Sequence, residues 1–185
     1  LNMLKIQSGP MGNHRGTPFD GDEMNMHMPQ NVLAETELKN LAAIPYQVIS
    51  PAANSPIIGI YQDSLLGSYR FTRPNITFTP REAMNLLMMY SKVDTGAIRE
   101  ISEQNSGKIT NFDILSQVMP PLTLKFKTKL FDEDEEYATS NNVLEIRNGK
   151  YIRGQIEKSV LGSSTKGIIH RAYNDFGNMS ACDFI

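Results

Sequence analysis

Cysteine is almost absent from this chain. Cys182 is the only one in 185 residues, so no disulfide can form within the chain and no cysteine zinc site exists in it. A single thiol fits a reducing, intracellular setting. Long apolar runs are missing too, and no stretch is long enough to cross a bilayer. The N-terminus lacks the basic-then-apolar pattern of a secretory signal. Neither sign of charge dominates. Eighteen basic against twenty acidic side chains leave a formal charge of −2. That excludes a broad basic field for nucleic acid, so any such contact is local or shared with other chains. There is no internal repeat and no low-complexity tract. The chain opens Leu1-Asn2 without a methionine and stops at Asp183-Phe184-Ile185 without a polar tail; a piece of a longer polypeptide is expected.

What is present suits one large domain or two small ones. Hydrophobic residues make up 40% of the chain, enough for a real core at this length. Leu1 to Ile6 is predicted as a short strand and Ser8 to Pro18 as a loop. Asn31 is placed as the cap of a helix over Val32 to Ala43, ended by Pro45. Tyr46 to Ile49 is predicted as a strand, Asn54-Ser55-Pro56 as a turn, and Gln62 to Phe71 as a helix. A domain boundary is expected near Thr72, giving domains 1–72 and 73–185.

The second half is punctuated by caps and turns. Thr79-Pro80-Arg81-Glu82 is a helix start in which Thr79 caps, Pro80 fits the first position and Glu82 bonds back; that helix is expected to reach about Tyr90. Lys92 to Ser106 shows no clear period and is expected to be a mobile insertion. Thr110 with Asp113 suggests a second capped helix, stopped by Pro120-Pro121. Leu122 to Leu130 alternates like a half-buried strand, and Phe131 to Glu136 is an acidic loop. Val143 to Ile146 and Tyr151 to Ile156 flank Asn148-Gly149, a hairpin signal. Gly167 to Phe176 reads as a helix, with Ser180 as the cap of a last one.

The run Phe19-Asp20-Gly21-Asp22-Glu23-Met24-Asn25 carries the most chemistry. Its glycine lets the backbone bend so that two carboxylates can face one point. Carboxylates are hard oxygen donors of the kind magnesium prefers. Two such metals, one at an attacking hydroxyl and one at a leaving pyrophosphate, are what nucleotidyl transfer needs. An Asp-Gly-Asp tripeptide is also common in plain turns, where aspartate caps a nearby N–H. The further acids of a helix-loop-helix calcium site are missing.

In its wider context the run resembles the metal-binding signature of the largest subunit of multisubunit DNA-directed RNA polymerases. The likeness continues through His27, Pro29 and Gln30, then Ile49-Ser50-Pro51, Ser55-Pro56 and Gly59-Ile60-Tyr61-Gln62-Asp63. It resumes at Gly154-Gln155-Ile156-Glu157-Lys158-Ser159-Val160-Leu161-Gly162-Ser163-Ser164 and Gly167-Ile168-Ile169-His170. It is poorest over Lys92 to Ser106 and Phe131 to Ser140. The later blocks are more similar to eukaryotic, archaeal or giant-virus enzymes than to bacterial ones.

The resemblance implies an α+β fold. Residues 1–72 would be part of a double-psi β-barrel carrying the acidic metal loop. Residues 73–185 would be a mixed α/β pore domain beside the channel through which nucleotides enter. It implies DNA-templated RNA synthesis by the parent enzyme and Mg2+ as cofactor, with Asp20 and Asp22 as catalytic metal ligands and Glu23 and His27 as auxiliary residues. Partners would be the second-largest subunit, further polymerase subunits, the DNA template, the RNA transcript and ribonucleoside triphosphates, with no membrane. Location would be the nucleus, or the virion or host cytoplasm for a viral enzyme. Arg70 and Arg73, with the Lys125, Lys127 and Lys129 row, could face phosphates; the plain alternative for the lysines is a solvated strand face. His170 is expected to be structural. Met24, Met26, Met28, Met84, Met88 and Met89 are expected to fill core and subunit contacts. One departure matters. The family's first motif aspartate falls on Pro18 and its asparagine on Gly16. Two carboxylates hold magnesium more weakly than three, which leaves open a catalytically impaired scaffold or assembly module.

Overall fold

Capping side chains fix where several helices of this chain begin. The computed structural model describes residues 27–185. The expected strand at Leu1 to Ile6, the loop at Ser8 to Pro18 and the acidic turn lie outside the described residues. Asn31 accepts a hydrogen bond from the Ala34 N–H at 2.8 Å and opens α1 (Val32–Asn40). That helix stops short of the expected Ala43. The Gln47 side chain donates to the Leu41 carbonyl at 2.8 Å, and Pro45 sits in a 3-10 turn (Ile44–Tyr46). The same turn takes Tyr46, and bends at Gln47 and Val48 leave only β1 (Ile49–Ser50), which pairs antiparallel with β2 (Ser55–Pro56). Helix α2 (Gln62–Phe71) has its expected bounds.

Next, β3 (Thr77–Phe78) leads directly into Thr79. The Thr79 hydroxyl accepts from the Glu82 N–H, and the Glu82 carboxylate accepts from the Thr79 N–H at 2.9 Å. This reciprocal box opens α3 (Pro80–Leu87), three residues shorter than predicted. The Thr79 backbone and side-chain donors hold the Glu82 carboxyl below its ordinary range. Residues 92–106, where the sequence shows no clear period, nonetheless hold a regular element. This is α4 (Thr95–Gln104), where Asp94 accepts from the Ala97 N–H at 3.0 Å and Ile98 is buried. After β4 (Ile109–Thr110), a second reciprocal box between Thr110 and Asp113 starts α5 (Asn111–Val118). Strands β3 and β4 pair antiparallel, Thr77 with Thr110 and Phe78 with Ile109. They bring Ala83, Leu87, Ile98, Ile109 and Ile114 into one apolar cluster.

A three-stranded antiparallel sheet follows, in the order β5 (Leu124–Lys127), β6 (Val143–Arg147), β7 (Lys150–Arg153). Asn148 (φ 47) and Gly149 (φ 78) make the β6–β7 turn with the two positive angles a tight hairpin requires. Strand β7 ends at Arg153 rather than Ile156 because Gly154 turns the chain at φ 112. A Cβ there would lie 2.4 Å from the Leu144 Cα, so only glycine lets the chain pass so close to β6. α6 (Lys158–Leu161), α7 (Ile168–Phe176) and α8 (Asn178–Phe184) complete the described chain. Gly177, at φ 86, separates the last two. The last helix therefore starts before Ser180, which is inside it and not its cap.

By packing, the described residues fall into two units. One comprises residues 27–59 and 162–183 with Ile185, and the other residues 60–161 with Phe184. The first holds β1, β2 and α7, whose Ile168, Ile169 and Ala172 are buried. The second holds both β-sheets from β3 onward and the apolar cluster. The α+β class holds, with helices and small antiparallel sheets among the described residues.

Candidate functional site

Of the residues singled out from sequence, Asp20, Asp22 and Glu23 lie outside the described residues. His27 is exposed at the edge of them. Among the described residues no group of three or more His, Cys, Asp or Glu side chains could hold a metal ion.

Arg70 lies in the last turn of α2, and Arg73 follows its cap residue Thr72. Both are exposed, and among the described residues neither has a carboxylate within ion-pairing distance. The Arg73 guanidinium lies 5.8 Å from the centre of the Tyr69 ring, a cation–π distance. Arg70, in the last turn, also complements the negative end of the helix dipole. Buried polar groups hold this stretch from beneath. Thr72 is fully buried, and its hydroxyl accepts from the Ile156 N–H at 2.9 Å. The Asn111 side-chain amide, also buried, donates to the carbonyls of Phe71 and Arg73.

The lysine row has other engagements. Lys125 Nζ is 3.4 Å from the Glu145 carboxylate and 4.8 Å from the Tyr137 ring centre. Lys127 Nζ is 4.3 Å from that of Phe131. Phe131 of the acidic loop and Tyr137 just after it thus lie over the lysines of β5, and Glu135 ties the loop by accepting from Ser140 and Asn142. Only Lys129 is left without such an aromatic cover among the described contacts.

Glu145 was not anticipated. Strand β6 is buried at Val143, Leu144, Glu145 and Ile146, so this carboxylate sits inside a nonpolar strand. It accepts from Arg153 Nε at 3.0 Å and from Arg147. Arg153 first, then Arg147 and Lys125, hold its carboxyl down at about 2 against the desolvation that opposes them. Such a charge is buried only because it is paired. The Arg153 hydrogen bonds to the carbonyls of Tyr137 and Ser140 extend the same network to the acidic loop.

The glycine-rich block at residues 154–164 is architectural in its first half. The Gly154 carbonyl accepts from the buried Tyr151 hydroxyl at 2.6 Å. Burial pushes that phenol well above its ordinary range. The Glu157 carboxylate accepts from the Lys129 N–H at 3.0 Å and from the Ser159 hydroxyl. A cavity of about 360 Å³ is lined mostly by apolar residues, Ile60, Phe71, Leu115, Ile156 and Leu161 among them, with Ser68 as its one polar side chain. His170 is buried as expected of a structural residue, with Nε2 3.3 Å from the Asn174 amide and no partner for Nδ1 among the described residues. For the methionines the core half of the expectation is corrected, and Met24 and Met26 lie outside the described residues. Met28, Met84, Met88 and Met89 are exposed to between 38% and 90%, so none of these four fills the core of this chain.

Fold and surface together define a class before a family. This is a mixed α and β module whose buried polar groups, among the described residues, serve its own architecture, and whose Arg70 and Arg73 stand exposed with no carboxylate partner among those residues. The family described as RNA polymerase Rpb1, domain 3, matches residues 47–185, and RNA polymerase Rpb1, domain 2, matches residues 15–44. The chain belongs to the family of the largest subunit of DNA-directed RNA polymerase. Two relatives from Trypanosoma brucei brucei, DNA-directed RNA polymerase II subunits RPB1-B and RPB1-A, are each 33% identical to it over 170 residues. The match covers 90% of this chain and 9% of each relative, so the chain spans about a tenth of their length. Among the described residues no helix is long and apolar enough to cross a membrane.

Proposed function

We infer that this chain is the part of an RNA polymerase largest subunit that carries the catalytic metal loop and the pore beside it. The parent enzyme joins ribonucleotides on a DNA template. The observation that carries this is the domain 2 match over residues 15–44, which contains Asp20, Gly21 and Asp22. The donor set fits magnesium in kind, since both groups are hard oxygen ligands. It is one carboxylate short in number, because Pro18 stands where the family's motif has its first aspartate. When bound, the metal would supply charge neutralisation and a more acidic attacking hydroxyl. Asp20 and Asp22 would hold it, with Glu23 and His27 beside them. Arg70 and Arg73 would meet nucleic-acid phosphates.

Functionally, residues 1–72 complete a double-psi barrel formed with other parts of the subunit, and residues 73–185 form the pore domain. The partners are the second-largest subunit, further polymerase subunits, template, transcript and nucleotides. The relatives' designation as polymerase II subunits supports a nuclear location.

The test is manganese and magnesium titration of the chain, followed by calorimetry and by the electron spin resonance of free manganese. Binding that disappears in Asp20→Ala and in Asp22→Ala is the expected result. No binding by the unaltered chain, with affinity for the second-largest subunit retained, would favour a scaffold whose missing carboxylate has cost it the metal.

A further inference from the structure

The last carbonyls of a helix have no partner within the helix, and glycine beyond its end commonly helps to satisfy them. Helix α2 ends without glycine; its cap residue Thr72 has φ −90 and ψ 12. A side chain from far along the sequence does the work instead. Asn111, the first residue of α5, is 1% exposed. Its amide donates to the carbonyl of Phe71 and, at 2.9 Å, to that of Arg73. Between those two carbonyls lies Thr72, fully buried, whose hydroxyl also engages the Ser68 carbonyl at 3.0 Å and the Ile156 N–H at 2.9 Å. The backbone from Phe71 to Arg73 is therefore pinned from below at three consecutive residues. Above it stand the exposed Arg70 and Arg73, with the Tyr69 ring beside Arg73.

We propose that Asn111 is a positioning residue for an arginine pair that grips phosphates of single-stranded nucleic acid. This rests on the reading that Arg70 and Arg73 face nucleic acid. An asparagine amide has two N–H donors on one nitrogen, and here both point at main-chain carbonyls. Alanine removes the side-chain donor of both carbonyls, and aspartate sets a carboxylate against them. Either change frees the segment that carries the arginines. A guanidinium whose backbone is already fixed has less freedom to lose on meeting a phosphate. The single-strand assignment comes from Tyr69. An aromatic face next to arginine can stack with an unpaired base and has no such use on a closed duplex. A chain of net charge −2 has no diffuse basic field to mask a contribution from two arginines.

The experiment uses the full chain and a fluorescein-labelled oligothymidylate, with binding followed by anisotropy across a range of salt. Each phosphate contact to a single strand adds about 0.7 to the slope of log affinity against log salt. Arg70→Ala and Arg73→Ala should each lower the slope by about that amount. Asn111→Ala, measured well below its melting temperature, should lower both slope and affinity although both arginines remain, with affinity falling several-fold. It should also lower the heteronuclear NOE of the amides at residues 70–73. The double variant Asn111→Ala with Arg73→Ala should lose less than the two single losses combined. Asn111→Ser, which keeps one donor, replaces the alanine variant if circular dichroism shows the latter unfolded.

Arginine variants that leave the slope unchanged would overturn the nucleic-acid reading itself. Arginine variants that lower it, with an Asn111 variant that changes only melting temperature, would overturn the positioning role alone. Equal affinity for a duplex of the same length would overturn the single-strand assignment.

Discussion

Replacing Gly154 by alanine should be the most damaging one-carbon addition in this chain. The new Cβ would sit 2.4 Å from the Leu144 Cα, 2.8 Å from the Val143 carbonyl oxygen and 2.9 Å from the Leu144 nitrogen. All three are main-chain atoms of β6, the central strand, which is buried on both faces, so no rotamer change relieves the clash. Two costs add. A residue with a Cβ held at a positive φ costs about 1–3 kcal/mol, and forcing extra volume into a packed site costs about 1–3 kcal/mol more. A loss of about 3 kcal/mol or more should lower the melting temperature by roughly 6–12 °C for a chain of this size.

The assay is urea unfolding followed by circular dichroism, where the midpoint should fall at unchanged slope. Gly107→Ala is the control. Gly107 also has a positive φ, at 80, but nothing lies within 4 Å of its added Cβ, so it isolates the backbone cost. If Gly154→Ala lowers the midpoint no further than Gly107→Ala does, the close approach to β6 is not what requires glycine.

Acid should act on Glu145. Its carboxyl is held at about 2 against an ordinary 4.5, so its folded value is the depressed one. Its stabilisation is fully present above pH 4.5 and is lost as pH falls through the folded value; acid titration of stability should therefore be shallower in Glu145→Gln over that window than in the unaltered chain. Thr79→Ala removes one capping box and should cost about 1 kcal/mol, read from the urea midpoint; no change would mean that Pro80 and Glu82 start α3 unaided. Removing Asp20 or Asp22 should abolish manganese binding, read from the spin resonance of the free ion.

Local chemistry was legible where its partners are close in sequence. Thr79 with Glu82, Thr110 with Asp113 and Asn148 with Gly149 each act over at most three residues, and all three form as their residue types predict. Asp94 carried the same kind of signal for α4, but Gly96 in its first turn and a short apolar face (Ile98, Ile101) hid the period. What joins distant segments was not legible. Nothing about Asn111 in sequence points to carbonyls 38 and 40 residues earlier, and Glu145 looks like a polar break in a strand until its three basic neighbours assemble around it. Met28, Met84, Met88 and Met89 misled as core residues because exposure depends on what else packs nearby, which spacing along one chain does not state. For the proposed site, residue type and resemblance singled out the acidic turn and the two arginines; the hydrogen bonds beneath the arginines needed three dimensions.

The bond between Thr72 and the Ile156 N–H spans 84 residues, and that distance sets a timetable. A ribosome that has released α2 still has to deliver the whole β5–β6–β7 sheet before Thr72 can find its buried partner. Until then the Thr72 hydroxyl has only local partners such as the Ser68 carbonyl, and the end of α2 is held from afar by the Asn111 amide alone. Nascent chains halted before Gly154 should therefore expose the α2 terminus to protease, and chains halted well beyond Ile156 should protect it.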